Sequence, residues 1–144
     1  MIIDSLNLFS DAQAITAAAG STNTLDLSAV RDIGTGTPLH IVITVDVAFT
    51  DGSSNSTLTV ALEGDSTTTF TPDATQDLVT IPALAAAGNK YIVTLSPGSA
   101  PLQYRYIRLK YTPNNGDLTT GSVTAFIADT VDQYTSYADN ITIS

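Results

Sequence analysis

Residues 39–49, LHIVITVDVAF, decide the fold class of this chain. Every second position from residue 41 carries an aliphatic side chain: Ile41, Ile43, Val45 and Val47. The alternate positions are mixed in polarity: His40, Val42, Thr44 and Asp46. Successive side chains of a β-strand point to opposite faces, so this period of two is typical of a strand with one buried face. We predict that the first set enters a core and that the second set faces outward.

The same alternation recurs along the chain between turn signals. TLTVALE (57–63) follows the loop TDGSSNS (50–56), and we expect it to form a hairpin with residues 39–49. YRYIRLKYT (104–112) and SVTAFIA (122–128) flank the tight-turn pair Asn115-Gly116, which predicts that these two runs pair antiparallel. Shorter strand candidates are TTTFT (67–71), DLVTIP (77–82) and KYIVTLS (90–96).

Two Ala-rich segments, 11–20 and 82–90, depart from this pattern, and each could hold a short helical turn that a glycine ends. Many short strands without a long amphipathic helix favour a β-sandwich or a barrel. We predict an all-β protein, a single-domain antiparallel β-sandwich of jelly-roll type. The domain should span residues 1–144, with 129–144 as a C-terminal tail.

Charge and cysteine content exclude several function classes. Asp and Glu number 14 against 5 Lys and Arg, giving a net charge of -9. Such a surface repels phosphate backbones and anionic lipid, so we expect neither a nucleic-acid nor a membrane partner. No window approaches the run of about 20 apolar residues that crosses a bilayer. The acidic N-terminus lacks a basic signal-peptide start, so we expect mature sequence. Cysteine is absent, which excludes disulfides and thiolate metal sites.

Catalytic and metal motifs are weak. The one histidine, His40, is expected at the surface, and no G-x-S-x-G motif presents a serine to it. Residues 51–62 match a calcium loop only at its first, third and fifth positions, so a turn is the better interpretation. Glu63 and Asp65 are interpreted as solvated loop charges. We predict no catalytic, cofactor or metal site and no enzyme. A hydrolase that uses acids from separate loops is a third, less favoured hypothesis.

The run YRYIRLKY (104–111) gathers three of the five cations. Alternation places Ile107, Leu109 and Tyr111 inward and Tyr106, Arg108 and Lys110 outward. Arg105 breaks the scheme, which a bulge or an inner face that begins only at Ile107 would resolve. The outer side chains are either a solvated face whose cations offset neighbouring acids or a docking ridge for an acidic partner. With two tyrosines of the tail, the candidate interface is Tyr104, Arg105, Tyr106, Arg108, Lys110, Tyr134 and Tyr137.

Three stretches resemble the Bbp16-type capsid cement proteins of tailed bacteriophages: MIIDSLNLFSDAQAITAAAGSTNTLDLS (1–28), RYIRLKYTPNNGDLTTGSVTAFIAD (105–129) and VDQYTSYA (131–138). The resemblance implies a small jelly-roll protein on the outer surface of the virion head. It implies that the protein bridges neighbouring copies of the major capsid protein against internal DNA pressure. It also implies a homo-oligomer, dimer or trimer, at capsomer junctions, without a cofactor.

A carbohydrate-binding or host-attachment β-sandwich module is the alternative. Tyr104, Tyr106, Tyr134 and Tyr137 offer aromatic surface for a sugar, but tryptophan, the usual stacking platform, is absent.

Overall fold

The computed structural model describes residues 5–27, 39–96 and 98–128. Within them the elements are nine strands and two short 3₁₀ turns, without an α-helix. The 3₁₀ turns are Ser5–Asn7 and Ala100–Gln103. The strands are β1 (Leu8–Ala14), β2 (Ala19–Gly20), β3 (Leu25–Asp26), β4 (Leu39–Thr50), β5 (Thr57–Asp65), β6 (Ala74–Ile81), β7 (Lys90–Leu95), β8 (Tyr106–Asn114) and β9 (Thr120–Ala128).

Two antiparallel sheets form the described structure. Sheet A has the order β1-β9-β4-β7, and sheet B has the order β2-β8-β5-β6. β3 also pairs with β8, nearer the start of β8 than β2 does. Taking β2 and β3 as one interrupted strand, the pairs are nested: first with last, second with second-last, and β5 with β6 innermost. Nested antiparallel pairs wrapped into two sheets are the jelly-roll arrangement. The predicted fold class, an all-β sandwich of jelly-roll type, is confirmed.

Both predicted hairpins are wrong. β4 pairs with β7 and β9, whereas β5 pairs with β6 and β8, so residues 51–56 connect the two sheets. β8 and β9 likewise lie in different sheets. Asn115 and Gly116 do adopt the positive φ values, 65° and 111°, that a tight turn needs. A turn motif thus predicts a reversal of the chain but does not say which strand the returning segment will join.

The Ala-rich segments contain no helix. Residues 11–20 hold the end of β1 and the whole of β2, and residues 82–89 form turns before β7. In the second segment the carbonyl of Ala85 accepts a hydrogen bond from the Phe49 amide, 2.9 Å. Pairing with the end of β4 therefore uses backbone groups that a helix would need for itself. TTTFT is also not a strand but part of the β5–β6 loop.

Bulges in β4 alter its predicted pattern. Ile41, Ile43 and Val45 are fully buried in the core, as predicted. The register against β9 shifts after Val45 and again after Val47, and Val47 is 50% exposed rather than buried. The second shift returns Phe49 to the core, where its ring lies so close to Gly121 that a Cβ there would stand 2.4 Å from it. Extra residues in one strand rotate its side chains out of simple alternation.

The core fills the space between the sheets and is closed at one end by the second 3₁₀ turn. Pro101 and Leu102 of this turn are buried, and the Pro101 carbonyl would lie 2.4 Å from a Cβ at Gly64. Only glycine allows this approach of backbone to strand. The largest fully buried side chains are Tyr111, Phe9, Phe49, Ile15, Ile41, Ile43, Leu58, Leu62, Ile81, Leu95, Leu102 and Ile107.

A buried polar chain joins the two sheets where β1 lies beside β2. The Tyr111 hydroxyl on sheet B is 2.7 Å from Ser10 Oγ on sheet A, and Ser10 Oγ donates to Gln13 Oε1, also 2.7 Å. Because the Ser10 proton is used there, Tyr111 is the donor in the first bond. Gln13 then donates from Nε2 to the Gly20 carbonyl and accepts from the Thr22 amide and hydroxyl. The Tyr111 and Ser10 hydroxyls thus find inside the core the hydrogen-bond partners that water cannot supply there.

The Tyr111 phenol should make stability depend on alkaline pH. Burial raises the pKa of Tyr111 from its ordinary value of 10.0 to about 12. An unfolded chain therefore loses this proton near pH 10 and the folded chain only near 12. The free energy of unfolding should be fully retained below pH 10. Between pH 10 and 12 it should fall, by about 2 to 3 kcal/mol.

The variant Tyr111→Phe should cost about 1 kcal/mol at pH 7 through the lost hydrogen bond. It should not share the alkaline loss, so the stability difference should change sign between pH 10 and 12. Urea unfolding of both proteins across pH 7 to 12 measures this difference. Curves that stay parallel would contradict the assigned burial of the phenol.

Candidate partner-binding surface

The outer face of β8 carries the predicted ridge. Ile107, Leu109 and Tyr111 are buried, whereas Tyr106, Arg108 and Lys110 are half-buried on the outer face, so the predicted alternation is confirmed. Because β8 begins at Tyr106, Arg105 lies in the preceding bend and is not bound by the alternation. The conflict at Arg105 is thus resolved by where the strand starts.

Arg105 forms a fork-shaped ion pair with Asp26 on β3. Its Nε and Nη2 atoms donate to the two carboxylate oxygens at 2.9 and 3.1 Å. These hydrogen bonds raise the pKa of Arg105 above its ordinary value. The guanidinium also lies 5.0 Å from the Tyr106 ring centroid. Both partners of the ion pair are 45% exposed, so water screens it strongly.

Arg108 is built into the surface of sheet B. Its Nε donates to Glu63 Oε2 at 2.7 Å, and Glu63 lies directly opposite on β5. The Phe70 ring stacks on the guanidinium, 4.3 Å from its centroid. A Cβ at Gly20 would lie 2.9 Å from the Nη1 atom, so β2 confines the side chain from the other side. The Arg108 and Glu63 side chains are only 23% and 8% exposed.

Two acids interpreted as solvated loop charges are buried instead. Glu63 and Asp65 lie in β5 on the outer face of sheet B and are 6% and 2% exposed. The β5–β6 loop explains this burial: Phe70 lies over Arg108, while Thr67 donates its amide and hydroxyl to Asp65 Oδ1. Within the described residues, Asp65 Oδ2 has no hydrogen-bond partner. The loop thus acts as a cover over this end of the sheet.

Lys110 differs from the two arginines. It lies opposite Gly20 on β2 and Ala61 on β5, both too small to cover a lysine side chain. In the described part of the chain, the ion pairs are those of Arg105 and Arg108, and Lys110 belongs to neither. The ridge therefore holds two cations already neutralised by acids and one that no described acid pairs. Whether it binds a partner stays a prediction.

The remaining candidates are less central to the ridge. Tyr104 is half-buried in the bend before β8. Tyr134 and Tyr137 fall outside the described residues.

Beyond Lys110, the outer face of sheet B is lined by neutral groups that bond one another. The Asn114 amide donates to the Thr57 and Thr59 hydroxyls at 3.2 and 2.8 Å. Thr59 in turn lies 3.4 Å from the Thr80 hydroxyl on β6. These contacts cross three neighbouring strands. They give the face polarity without net charge.

His40 and the loop that begins at Asp51, the other motifs of the sequence, form hydrogen bonds within the fold. His40 Nδ1 lies 3.0 Å from Thr94 Oγ1 on the exposed outer face of sheet A. Asp51 accepts hydrogen bonds from the amides of Asn55 and Ser56, and the contacts with Ser56 lower the pKa of Asp51. Across the described residues, no three His, Cys, Asp or Glu side chains group as a metal site would require. None of the described helices has the length and hydropathy to cross a membrane.

Comparison with known proteins identifies the family. The model of the Bbp16 family matches residues 9–127. The chain belongs to the Bbp16 family. No curated protein matches it. A chain in the solved structure titled "Structure of infectious bursal disease virus Gx strain" is similar at 14% identity, with a TM-score of 0.46. That alignment covers 89% of this chain but 32% of the viral one, so the Bbp16 family member spans about a third of its length.

Sequence reasoning missed Phe70, Glu63 and Asp26 as partners of the ridge in this Bbp16 family member. A single aromatic in the run TTTFT reads as a strand residue, and its contact with Arg108 arises only because the loop folds back. The acidic partners are separated from their arginines by long stretches of chain. Only the pairing of β3 and β5 with β8 brings them together.

The two arginine ion pairs of this Bbp16 family member should differ sharply in their contribution to stability. Arg108→Met leaves the covered Glu63 carboxylate without its partner, and we expect a loss of about 3 kcal/mol. Arg105→Met leaves an exposed Asp26, and the loss should be far smaller, because water already screens that ion pair. Both variants remove one positive charge, so each is the control of the other. Equal losses in urea unfolding at pH 7 would contradict the structural role assigned to Arg108.

Proposed function

We propose that this protein is a capsid cement protein of a tailed bacteriophage. It binds the outer surface of the head and bridges neighbouring copies of the major capsid protein. The added contacts stabilise the shell against the pressure of packaged DNA. The protein acts as a structural component of the virion and not as an enzyme, with residues 1–144 as one unit and 129–144 as its tail.

The extent of the family match carries this proposal. The matched residues, 9–127, run from β1 to β9 and so include both sheets of the jelly roll. We therefore assign the main part of the proposed function to this fold. The sequence stretches described above resemble a family of phage cement proteins, and they include β8, the strand that bears the ridge.

The physical properties of the described structure suit a protein that joins surfaces. A cement protein must transmit load without deforming, and here the sheets are tied by the buried Tyr111–Ser10 bond and by a continuous core. Each contact with a capsomer can be weak, since two contacts made together raise the effective concentration of the second and add factors of roughly 10² to 10⁴.

Electrostatics supports an outward position. A net charge of -9 disfavours contact with packaged DNA. On such an acidic protein, a cation that lacks an ion-pair partner can bind an acidic surface of another protein. Lys110 is the ridge cation that no described acid neutralises. Tyr106 beside it adds aromatic contact area, a residue type enriched at interfaces. Tyr134 and Tyr137 stay part of the proposed interface, outside the described residues.

Shells carrying the protein should resist heat and osmotic shock better than shells without it. Stripped particles, and stripped particles with purified protein added back, are heated in steps while DNA release is followed by dye fluorescence. Restored resistance after add-back is the expected result, since the added contacts raise the barrier to shell opening. Equal release temperatures with and without bound protein would disprove the cement function.

Reversal of the ridge charge should weaken binding to shells. Lys110→Glu should lower affinity about tenfold at low salt, because it places a negative charge against the acidic partner surface. Lys110→Met only removes the charge, so its affinity for shells should lie between those of Lys110→Glu and the wild type. Occupancy is measured by co-sedimentation with shells in graded salt, with thermal melts confirming that both variants fold. Unchanged occupancy for Lys110→Glu removes the ridge from the interface.

A further inference from the structure

The β5–β6 loop, residues 66–73, encloses an unsatisfied polar group. Its sequence is STTTFTPD, and Phe70 is its one buried residue, 8% exposed, while its other residues are exposed. Asp65, which lies under this loop at the end of β5, is 2% exposed. Its Oδ2 atom has no hydrogen-bond partner within the part of the chain that the structure describes. A carboxylate oxygen shut away from water without a donor is unfavourable, so the closed loop carries a cost.

The backbone of Phe70 adds a second cost. Its φ angle is 45°, in the left-handed region that bulky side chains rarely adopt. Such a conformation persists only while the surroundings hold it, and strained residues of this kind cluster at clamps and switches. Lifting the ring from the sheet would allow an ordinary backbone conformation and admit water to Asp65. Both costs are therefore relieved by the same movement.

Hydrogen bonds fix both ends of the loop. Ser66 donates its amide and hydroxyl to Asp73 Oδ2 at 3.1 and 3.0 Å. Thr67 donates its amide and hydroxyl to Asp65 Oδ1 at 2.7 and 3.1 Å. The Asp73 amide donates to the Gly64 carbonyl at 2.9 Å, which continues the ladder between β5 and β6. Movement is thus confined to the middle of the loop.

The tip of the loop, residues 68–72, lies between these fixed ends and is held weakly. Its hydrogen bond joins the Thr69 and Thr67 hydroxyls at 2.9 Å. Its ring contact is that of Phe70 with the Arg108 guanidinium, 4.3 Å from the ring centroid. Segments with few buried contacts open at a low cost in free energy while the rest of the fold persists. The tip, with one buried side chain, is such a segment.

We propose that the tip is a lid that opens in the folded protein while both sheets stay intact. In the closed state Phe70 covers Arg108 and shuts Asp65 away from water. In the open state Phe70 is exposed and Asp65 is hydrated. Arg108 keeps its bond to Glu63, because that bond joins the neighbouring strands β8 and β5. The outer face of sheet B thus has two states that differ at one aromatic ring.

The lid controls how much aromatic surface lies beside the ridge. Tyr106 is half-buried there in the closed state, and opening adds the Phe70 ring near it. Aromatic residues are enriched in protein interfaces, so a partner that contacts both rings would hold the lid open. This consequence rests on the proposed function, whereas the opening itself does not.

Chymotrypsin tests the opening without any substitution. The enzyme cleaves after aromatic residues and takes the side chain into its own pocket, so it can cut after Phe70 only when the lid is open. Phe49, 1% exposed in β4, is the internal control, because cleavage there requires unfolding of the sheet. In native buffer, fragments cut after Phe70 should form about tenfold faster or more than fragments cut after Phe49. Mass spectrometry identifies both sets of fragments.

Two variants test the cause of the opening. Asp65→Asn keeps an oxygen for Thr67 and replaces the carboxylate by an amide, which costs less to bury, so cleavage after Phe70 should slow about tenfold. Asp73→Asn makes the same change in charge at the exposed end of the loop and relieves no buried group, so it should not slow cleavage. Urea unfolding confirms that both variants fold, and the wild-type comparison stands without them.

The digests decide the proposal. Preferential cleavage after Phe70 that Asp65→Asn alone slows supports the lid. Equal rates at Phe70 and Phe49 overturn it, since only global unfolding then exposes the ring. Cleavage that Asp65→Asn does not slow, or that Asp65→Asn and Asp73→Asn slow equally, also overturns it. All these measurements use the free protein, so their failure leaves the cement function standing, and failure of the cement function leaves the lid standing.

Discussion

The hydrogen bond from Tyr111 to Ser10 is the contact on which the arrangement of this sandwich most depends. It joins β8 of sheet B to β1 of sheet A inside a core that excludes water, and Gln13 carries the connection on to β2. Hydrophobic burial is not directional, whereas a hydrogen bond requires a particular distance and angle between its two groups. One satisfied polar chain fixes their relative position. Because Tyr111 lies on β8, this hydrogen bond also positions the strand that carries the ridge.

The strands were predictable because alternation records which face of a strand is buried. Ile41, Ile43 and Val45 in β4 and Ile107 and Leu109 in β8 follow it closely. The partners of each strand were not predictable, since in a jelly roll most strands pair with segments far away in the chain. The exposure of Val47 was also beyond prediction, because a bulge depends on what the neighbouring strand offers and not on the bulged residues alone.

For the candidate surface too, the facing of side chains was predictable and their long-range partners were not. Periodicity alone placed Tyr106, Arg108 and Lys110 on one face, as the structure does. It could not separate Arg108, which is held by Glu63 and Phe70, from Lys110, which is not. That distinction comes from a loop that folds back over sheet B and from two small neighbours, Gly20 and Ala61. Long-range contacts of this kind leave no local signal in a sequence.

The linked hydroxyl and amide groups of Asn114, Thr57, Thr59 and Thr80 affect how the outer face of sheet B interacts with water. Groups that already satisfy one another give up few solvent bonds when a surface is dried, so the dehydration penalty per unit area is small. Such a face can be covered and uncovered reversibly at little enthalpic cost. It also presents polar, hydrogen-bonded groups to a neighbouring copy in place of apolar side chains.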